Sequence, residues 1–208
     1  MTPTPQPAIE AVIFDLGNVL IAVDETRALD RMAARTGKTR RELENYLMLT
    51  PPVNQLARGE LSSQRFFEIV RQDTGFDGDF AEFARIWSDI FTPIEPMIAL
   101  ARQLKGQVTR LILSNTNAIH RDHVLKQFPV VREFEGLVLS HEVGLLKPDP
   151  RIYELTLQRF GLRAERAAFI DDVRTHVEGA RAGGMHGIHY QNPDQVRLEL
   201  TKLGVAGI

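Results

Sequence analysis

Five short apolar runs constrain this chain more than any other feature: residues 11–14, 110–113, 137–139, 167–170 and 187–190. Each is too short for a helix. Each is continuous rather than alternating, the pattern of strands covered on both faces of a parallel sheet. Helical periodicity occupies residues 95–104, 119–128, 150–160, 176–182 and 193–203. Strands alternating with helices predict an α/β fold built on a doubly wound parallel sheet.

The first two strands are far apart in sequence. The stretch between them reads as helix over residues 25–36, 40–49, 63–73 and 79–91, with breakers at Gly37, Pro51, Pro52, Gly59 and residues 75–78. One crossover does not need that much chain. The expectation is therefore an α/β core of residues 8–22 and 93–208, interrupted by a helical cap over residues 23–92. The cap sits as a lid over the end of the sheet, with Phe66, Phe67, Trp87 and Phe91 in its own core. A chain of 208 residues has room for one such core and a modest insert.

In open α/β sheets, ligands bind beyond the carboxyl ends of the strands. The residues that follow the strands here are Asp15, then Ser114 and Asn115, then Lys147, then Asp171 and Asp172. Three carboxylates meeting at one edge repel one another unless a cation lies among them. Magnesium suits an all-oxygen set and leaves room for a substrate phosphate. With its charge neutralised, a phosphoryl group is open to attack by Asp15, giving an aspartyl-phosphate that water then hydrolyses. Lys147 pairs as a point charge with Asp15 and a phosphoryl oxygen. Ser114 and backbone N–H groups near Asn115 serve the remaining phosphoryl oxygens.

These segments resemble the four motifs of the haloacid dehalogenase superfamily, in order: Phe14-Asp15-Leu16-Gly17-Asn18-Val19-Leu20, Leu113-Ser114-Asn115-Thr116-Asn117, Lys147-Pro148-Asp149-Pro150 and Ile170-Asp171-Asp172. The place of the insert is similar to the helical cap of subfamily I. The Asp-Leu-Gly-Asn-Val opening, the Ser-Asn-Thr-Asn run and the stretch Arg58-Gly59-Glu60 also resemble the glucose-1-phosphate phosphatases of bacteria. The resemblance implies that Asp15 is both nucleophile and metal ligand, that the Gly17 carbonyl is a second ligand, and that Asp172 is the acidic ligand of the fourth motif. Asp171 then helps through water or orients the site. Two positions depart from the commoner pattern. Gly17 stands where a second Asp usually moves the leaving-group proton, and His176 stands where Asp or Asn is usual. A sugar anomeric oxygen leaves well enough to tolerate the glycine, so the expected substrate is a sugar phosphate, glucose 1-phosphate first.

Other classes fit less well. A formal net charge of −2 supplies no basic field for nucleic acid. No segment reaches the roughly 18 to 20 apolar residues that span a bilayer, and residues 1–7 lack the charged start and apolar stretch of a secretory signal. With no cysteine there is neither a disulfide framework nor a thiolate site. The expectation is a cytoplasmic monomer or homodimer acting on a small phosphorylated metabolite, with no nucleic-acid or membrane partner. His120, His123, His141, His186 and His189 read as structural. Two alternatives keep the fold: a 2-haloacid dehalogenase, which needs no metal and is disfavoured by the Asp171-Asp172 pair, and a binding protein without turnover.

Overall fold

The computed structural model describes residues 8–208, and the Pro/Thr-rich run at residues 1–7 lies outside the described residues. Its centre is a five-stranded, all-parallel sheet of β1 (Ala11–Phe14), β4 (Thr109–Ser114), β5 (Gly136–Leu139), β6 (Ala167–Asp171) and β7 (His186–His189). The strand order is β5-β4-β1-β6-β7, so β1 lies in the middle with β4 and β6 on its flanks. All five apolar runs are strands, with no end shifted by more than one residue.

Alternation along the strands divides the core into two layers. Val12, Phe14, Ile112 and Ile170 face one side, against α6 (Glu95–Gln103), α7 (Ala118–Gln127) and α11 (Pro193–Lys202). Ile13, Leu111, Leu113 and Phe169 face the other, against α9 (Pro150–Arg159) and α10 (Arg174–Ala182). Both faces are dry, so strands with no polar alternation are stable here. The five helices lie within two residues of the spans that periodicity predicts. Among the described residues, no helix is long and apolar enough to cross a membrane.

The long interval holds five helices: α1 (Thr26–Thr36), α2 (Arg40–Leu49), α3 (Pro51–Ala57), α4 (Ser63–Thr74) and α5 (Phe80–Trp87). A two-stranded antiparallel ribbon of β2 (Ile21–Val23) and β3 (Phe91–Pro93) joins both ends of this insert to the sheet. Local signals explain most of the boundaries. Thr39 and Glu42 form a reciprocal capping box at the start of α2, and Gly37 ends α1 in the left-handed region at φ 67°. Phe66, Phe67, Val70 and Phe83 are buried together with Leu29, Met32 and Leu43. Each such side chain contributes about 1.5 to 3 kcal/mol of transfer free energy. Arg35 pairs with Glu82 at 2.5 Å and fastens α1 to α5.

Two expectations need correction. Pro51 and Pro52 read as a breaker, but they open α3. Thr50 is extended at φ −99° and ψ 139°, as the residue before a proline prefers to be, and the prolines fill the first turn, where a missing N–H leaves no bond unmade. The helix expected over residues 79–91 also ends early, at Trp87, because Phe91 enters the antiparallel ribbon, whose two strands are too short to read from the sequence. Each has only three residues, and β3 ends in Pro93.

Candidate active site

Three neighbouring strands, β4, β1 and β6, deliver Ser114, Asp15 and Asp171 to the same edge. The backbone N–H of Asp15 donates to the Ile170 carbonyl at 2.8 Å, so the sheet ladder itself fixes the spacing of the first and fourth motifs. Within the Asp15 side chain, Oδ1 accepts from the Leu16 N–H at 2.7 Å and is paired with Lys147 Nζ at 2.9 Å. Both bonds fall on Oδ1 and leave Oδ2 to other partners.

Lys147 spends all three of its N–H donors inside the protein: on Asp15, on Asp171 Oδ2 at 2.6 Å and on the Leu113 carbonyl at 3.0 Å. Its side chain is withdrawn from solvent, as is that of Asp171. Asn115 holds the backbone on either side of that lysine, accepting from Lys147 N–H at 2.8 Å and donating to the Lys147 carbonyl at 3.0 Å. The Asn115 side chain is thus engaged in positioning Lys147, although the residue is exposed. Ser114 is buried at the end of β4.

The two adjacent carboxylates have different surroundings. Asp171 Oδ1 accepts from the Val173 N–H at 2.8 Å, and His176 Nδ1 lies 3.1 Å from Oδ1 and 3.2 Å from Oδ2. Asp172 is half-buried, and its Oδ2 accepts from Asn18 Nδ2 at 3.2 Å. His176, the residue that departs from the usual motif, is therefore a partner of Asp171.

The electrostatics follow from burial and pairing. Burial pushes the Asp15 carboxyl up to about 6; Lys147 opposes that rise and the Asp171 charge adds to it. Burial also works against the Asp171 charge, but the His176 and Lys147 hydrogen bonds outweigh it and hold this carboxyl below its usual range. One oxygen from each of Asp15, Asp171 and Asp172 lies within 4.8 Å of the others. Three carboxylates against one ammonium leave negative charge uncompensated, and an all-oxygen set with that balance fits a hard divalent cation.

Gly17, two residues beyond Asp15, lies outside the left-handed region and makes a bridge with Ile21. A Cβ added there meets only Val23 Cγ2, at 3.4 Å, so the position has room for a side chain. Asn18 follows in the left-handed region at φ 54°, and its Oδ1 accepts from the Val23 N–H at 3.0 Å. Sequence reasoning did not single out Asn18 or Ser140. A Gly-Asn pair just past a strand does signal a left-handed turn; for Ser140 no local signal exists. None of the remaining histidines bonds to the three carboxylates: His120 is held by Asn117 and the Trp87 carbonyl, His186 by the Glu165 carbonyl and His189 by the Asp172 backbone carbonyl, whereas neither ring nitrogen of the buried His141 side chain has a hydrogen-bond partner among the described residues.

Comparison with known proteins fits this geometry. A phosphatase of Mycobacterium tuberculosis is 31% identical over 95% of this chain and 96% of its own length. A sesquiterpene phosphatase of Aspergillus oryzae is 26% identical over 93% of this chain and 96% of its own. A haloacid dehalogenase (HAD) family enzyme of Bacteroides thetaiotaomicron, solved with magnesium and inorganic phosphate, superimposes with a TM-score of 0.82 at 25% identity, covering 88% of this chain and 95% of that one. The family model for haloacid dehalogenase-like hydrolases matches residues 9–184. With the four motifs already meeting at one sheet edge, that match settles the affiliation: the chain belongs to the haloacid dehalogenase-like hydrolase family.

Proposed function

We propose that this hydrolase is a magnesium-dependent phosphatase that cleaves a small phosphate monoester through a phosphorylated Asp15. The observation that carries the reading is the state of Asp15. Lys147 and the Leu16 N–H hold Oδ1, Oδ2 takes part in neither bond, and two further carboxylates stand within 4.8 Å. The magnesium and phosphate bound by the Bacteroides enzyme, and relatives that are phosphatases, support the same chemistry.

In this reading Asp15, Asp172 and the Gly17 carbonyl hold the cation, and Asp171 acts by orienting Lys147. The cation, when bound, supplies positive charge next to the phosphoryl oxygens. Asp15 attacks phosphorus as the ester P–O bond breaks, and the departing oxygen takes its proton from water, because Gly17 offers none; a water then cleaves the acyl phosphate and releases inorganic phosphate. Ser114 and N–H groups of the loop after β4 donate to phosphoryl oxygens. Lys147 reaches a phosphoryl oxygen by exchanging one of its three bonds. The bond to the Leu113 carbonyl is the one that breaks no ion pair.

The insert over residues 23–92 is the cap, and residues 8–22 and 93–208 are the catalytic core. The separate apolar cluster of the insert supports this division. A sugar phosphate such as glucose 1-phosphate draws support from motif likeness and from Gly17, whereas the lining of the adjoining cavity supports a different leaving group.

The test is phosphate release from a broad panel of monoesters by wild type and Asp15→Asn. The reading expects turnover that EDTA abolishes and magnesium restores, with nearly all of it lost in the variant. Hydrolysis indifferent to EDTA would favour dehalogenase-type chemistry. Wild type inert on every ester would favour a binding protein.

A further inference from the structure

A cavity of about 380 Å³ opens between the helices of the insert and the loop after β4. Its size falls in the range of roughly 300 to 1,000 Å³ found for small-molecule sites. It adjoins the candidate active site through Asn115 and Thr116, the residues that directly follow Ser114, and Asn115 also clamps Lys147. A substituent on a phosphoryl group held at Asp15 and Lys147 therefore has this chamber as its neighbour.

The lining is mostly carbon. Leu29, Met32, Leu47, Val53, Trp87 and Ile90 contribute from the insert side. At the β4 end the side chains of Asn115, Asn117 and His120 already hold hydrogen bonds within the protein. Asn117 Oδ1 accepts from the His120 N–H at 3.0 Å, Asn117 Nδ2 lies 3.1 Å from His120 Nδ1, and His120 Nε2 donates to the Trp87 carbonyl at 3.1 Å. Thr116 N–H is likewise bound by Ser140 Oγ at 2.9 Å. Glu25 and Asn54 also line the chamber but are exposed. A sugar would bring several hydroxyls into this space, and each needs a new partner once it leaves water. An apolar alcohol needs none and gains from every methylene it buries.

We infer that this chamber receives the leaving group, and that the substrate is the phosphate monoester of an apolar alcohol rather than of a sugar. The inference rests on the phosphatase reading and assigns its substrate class. The phosphate lies at the Asp15 and Lys147 end, and the hydrocarbon runs past Asn115 between α1, α3 and α5.

Two measurements test this. The first is kcat/KM for linear alkyl phosphates from ethyl to decyl, for farnesyl phosphate and for glucose 1-phosphate, with wild-type enzyme and magnesium. Each methylene that enters the chamber should raise kcat/KM about three- to fourfold, chiefly through KM. Leu47→Gln, at a half-buried lining position, should raise KM for decyl phosphate several-fold more than for ethyl phosphate. The second is binding without metal or turnover. The only tryptophan of the chain is Trp87, so saturable quenching or a shift of its emission by farnesol, with none by glucose, reports occupancy of the chamber. A flat alkyl series, with glucose 1-phosphate turned over at least as well as decyl phosphate, overturns the inference and leaves the phosphatase reading standing. A Trp87 response to farnesol without phosphate release from any ester contradicts the phosphatase reading instead, and the chamber stands as an apolar binding site.

Discussion

The ammonium of Lys147 lies 2.6 Å from Asp171 Oδ2, and neither side chain has any contact with solvent. Two charges removed from water in this way are stable only as a pair, and losing one partner typically costs about 3 to 5 kcal/mol. Lys147 also holds Asp15, so the same ammonium links the stability of the site to the proposed nucleophile.

The first prediction follows from that linkage. Lys147→Met should lower unfolding stability by about 3 to 5 kcal/mol in urea at neutral pH and abolish phosphate release. Adding Asp171→Asn in that background should return at least half of the stability and none of the activity. A double variant no more stable than Lys147→Met would show that the pair is not coupled.

The second concerns His120, which stacks on Trp87 with ring centroids 5.7 Å apart where the insert meets α7. Burial pulls this imidazole down to about 4 from an ordinary value of 6.5. The folded protein therefore prefers the neutral ring. The stabilisation is complete above pH 6.5, where both states are unprotonated, and is lost as the pH falls toward 4, because the unfolded chain takes up the proton first. Wild type should thus lose more stability between pH 6.5 and 4.5 than His120→Phe does, by about 1 to 3 kcal/mol. Equal slopes for the two proteins would contradict this assignment.

The third concerns the seam between insert and sheet. Ser140 is fully buried; its Oγ accepts from the Thr116 N–H at 2.9 Å and lies 2.7 Å from the Ala57 carbonyl of α3. Two residues beyond α3, Gly59 has φ 69°, and a Cβ there would stand 2.1 Å from the His141 carbonyl oxygen. Ser140→Ala leaves a buried N–H unpaired and should cost about 1 to 3 kcal/mol. Gly59→Ala should cost at least as much, because both the left-handed backbone and the clash oppose it. Each should also raise KM, since α3 lines the proposed substrate chamber. Unchanged stability and KM in both variants would mean that the seam does not hold the insert in place.

The parts legible in the sequence are those fixed by neighbours along the chain. Ile13 and Phe169 sit in runs with no polar alternation, so their strands can be read directly, and Asp15, Ser114 and Asp171 follow from the strand ends. Features that depend on contacts across the fold are not legible. Nothing local says that His176 bonds to Asp171, that the Asn115 side chain clamps Lys147, or that Met32 and Trp87 line one chamber. Pro51 and Pro52 show a third limit. The same residues break a helix in its interior and start one in its first turn, and only the extended backbone at Thr50 decides between the two.

Formation of a covalent intermediate on Asp15 tests the central claim most directly. Wild-type enzyme mixed with magnesium and a reactive phosphate monoester, quenched in acid within a turnover and mapped by mass spectrometry, should carry one phosphoryl group on the peptide containing Asp15, and Asp15→Asn should carry none. A phosphoryl group on any other residue, or near wild-type turnover by Asp15→Asn, would contradict the account.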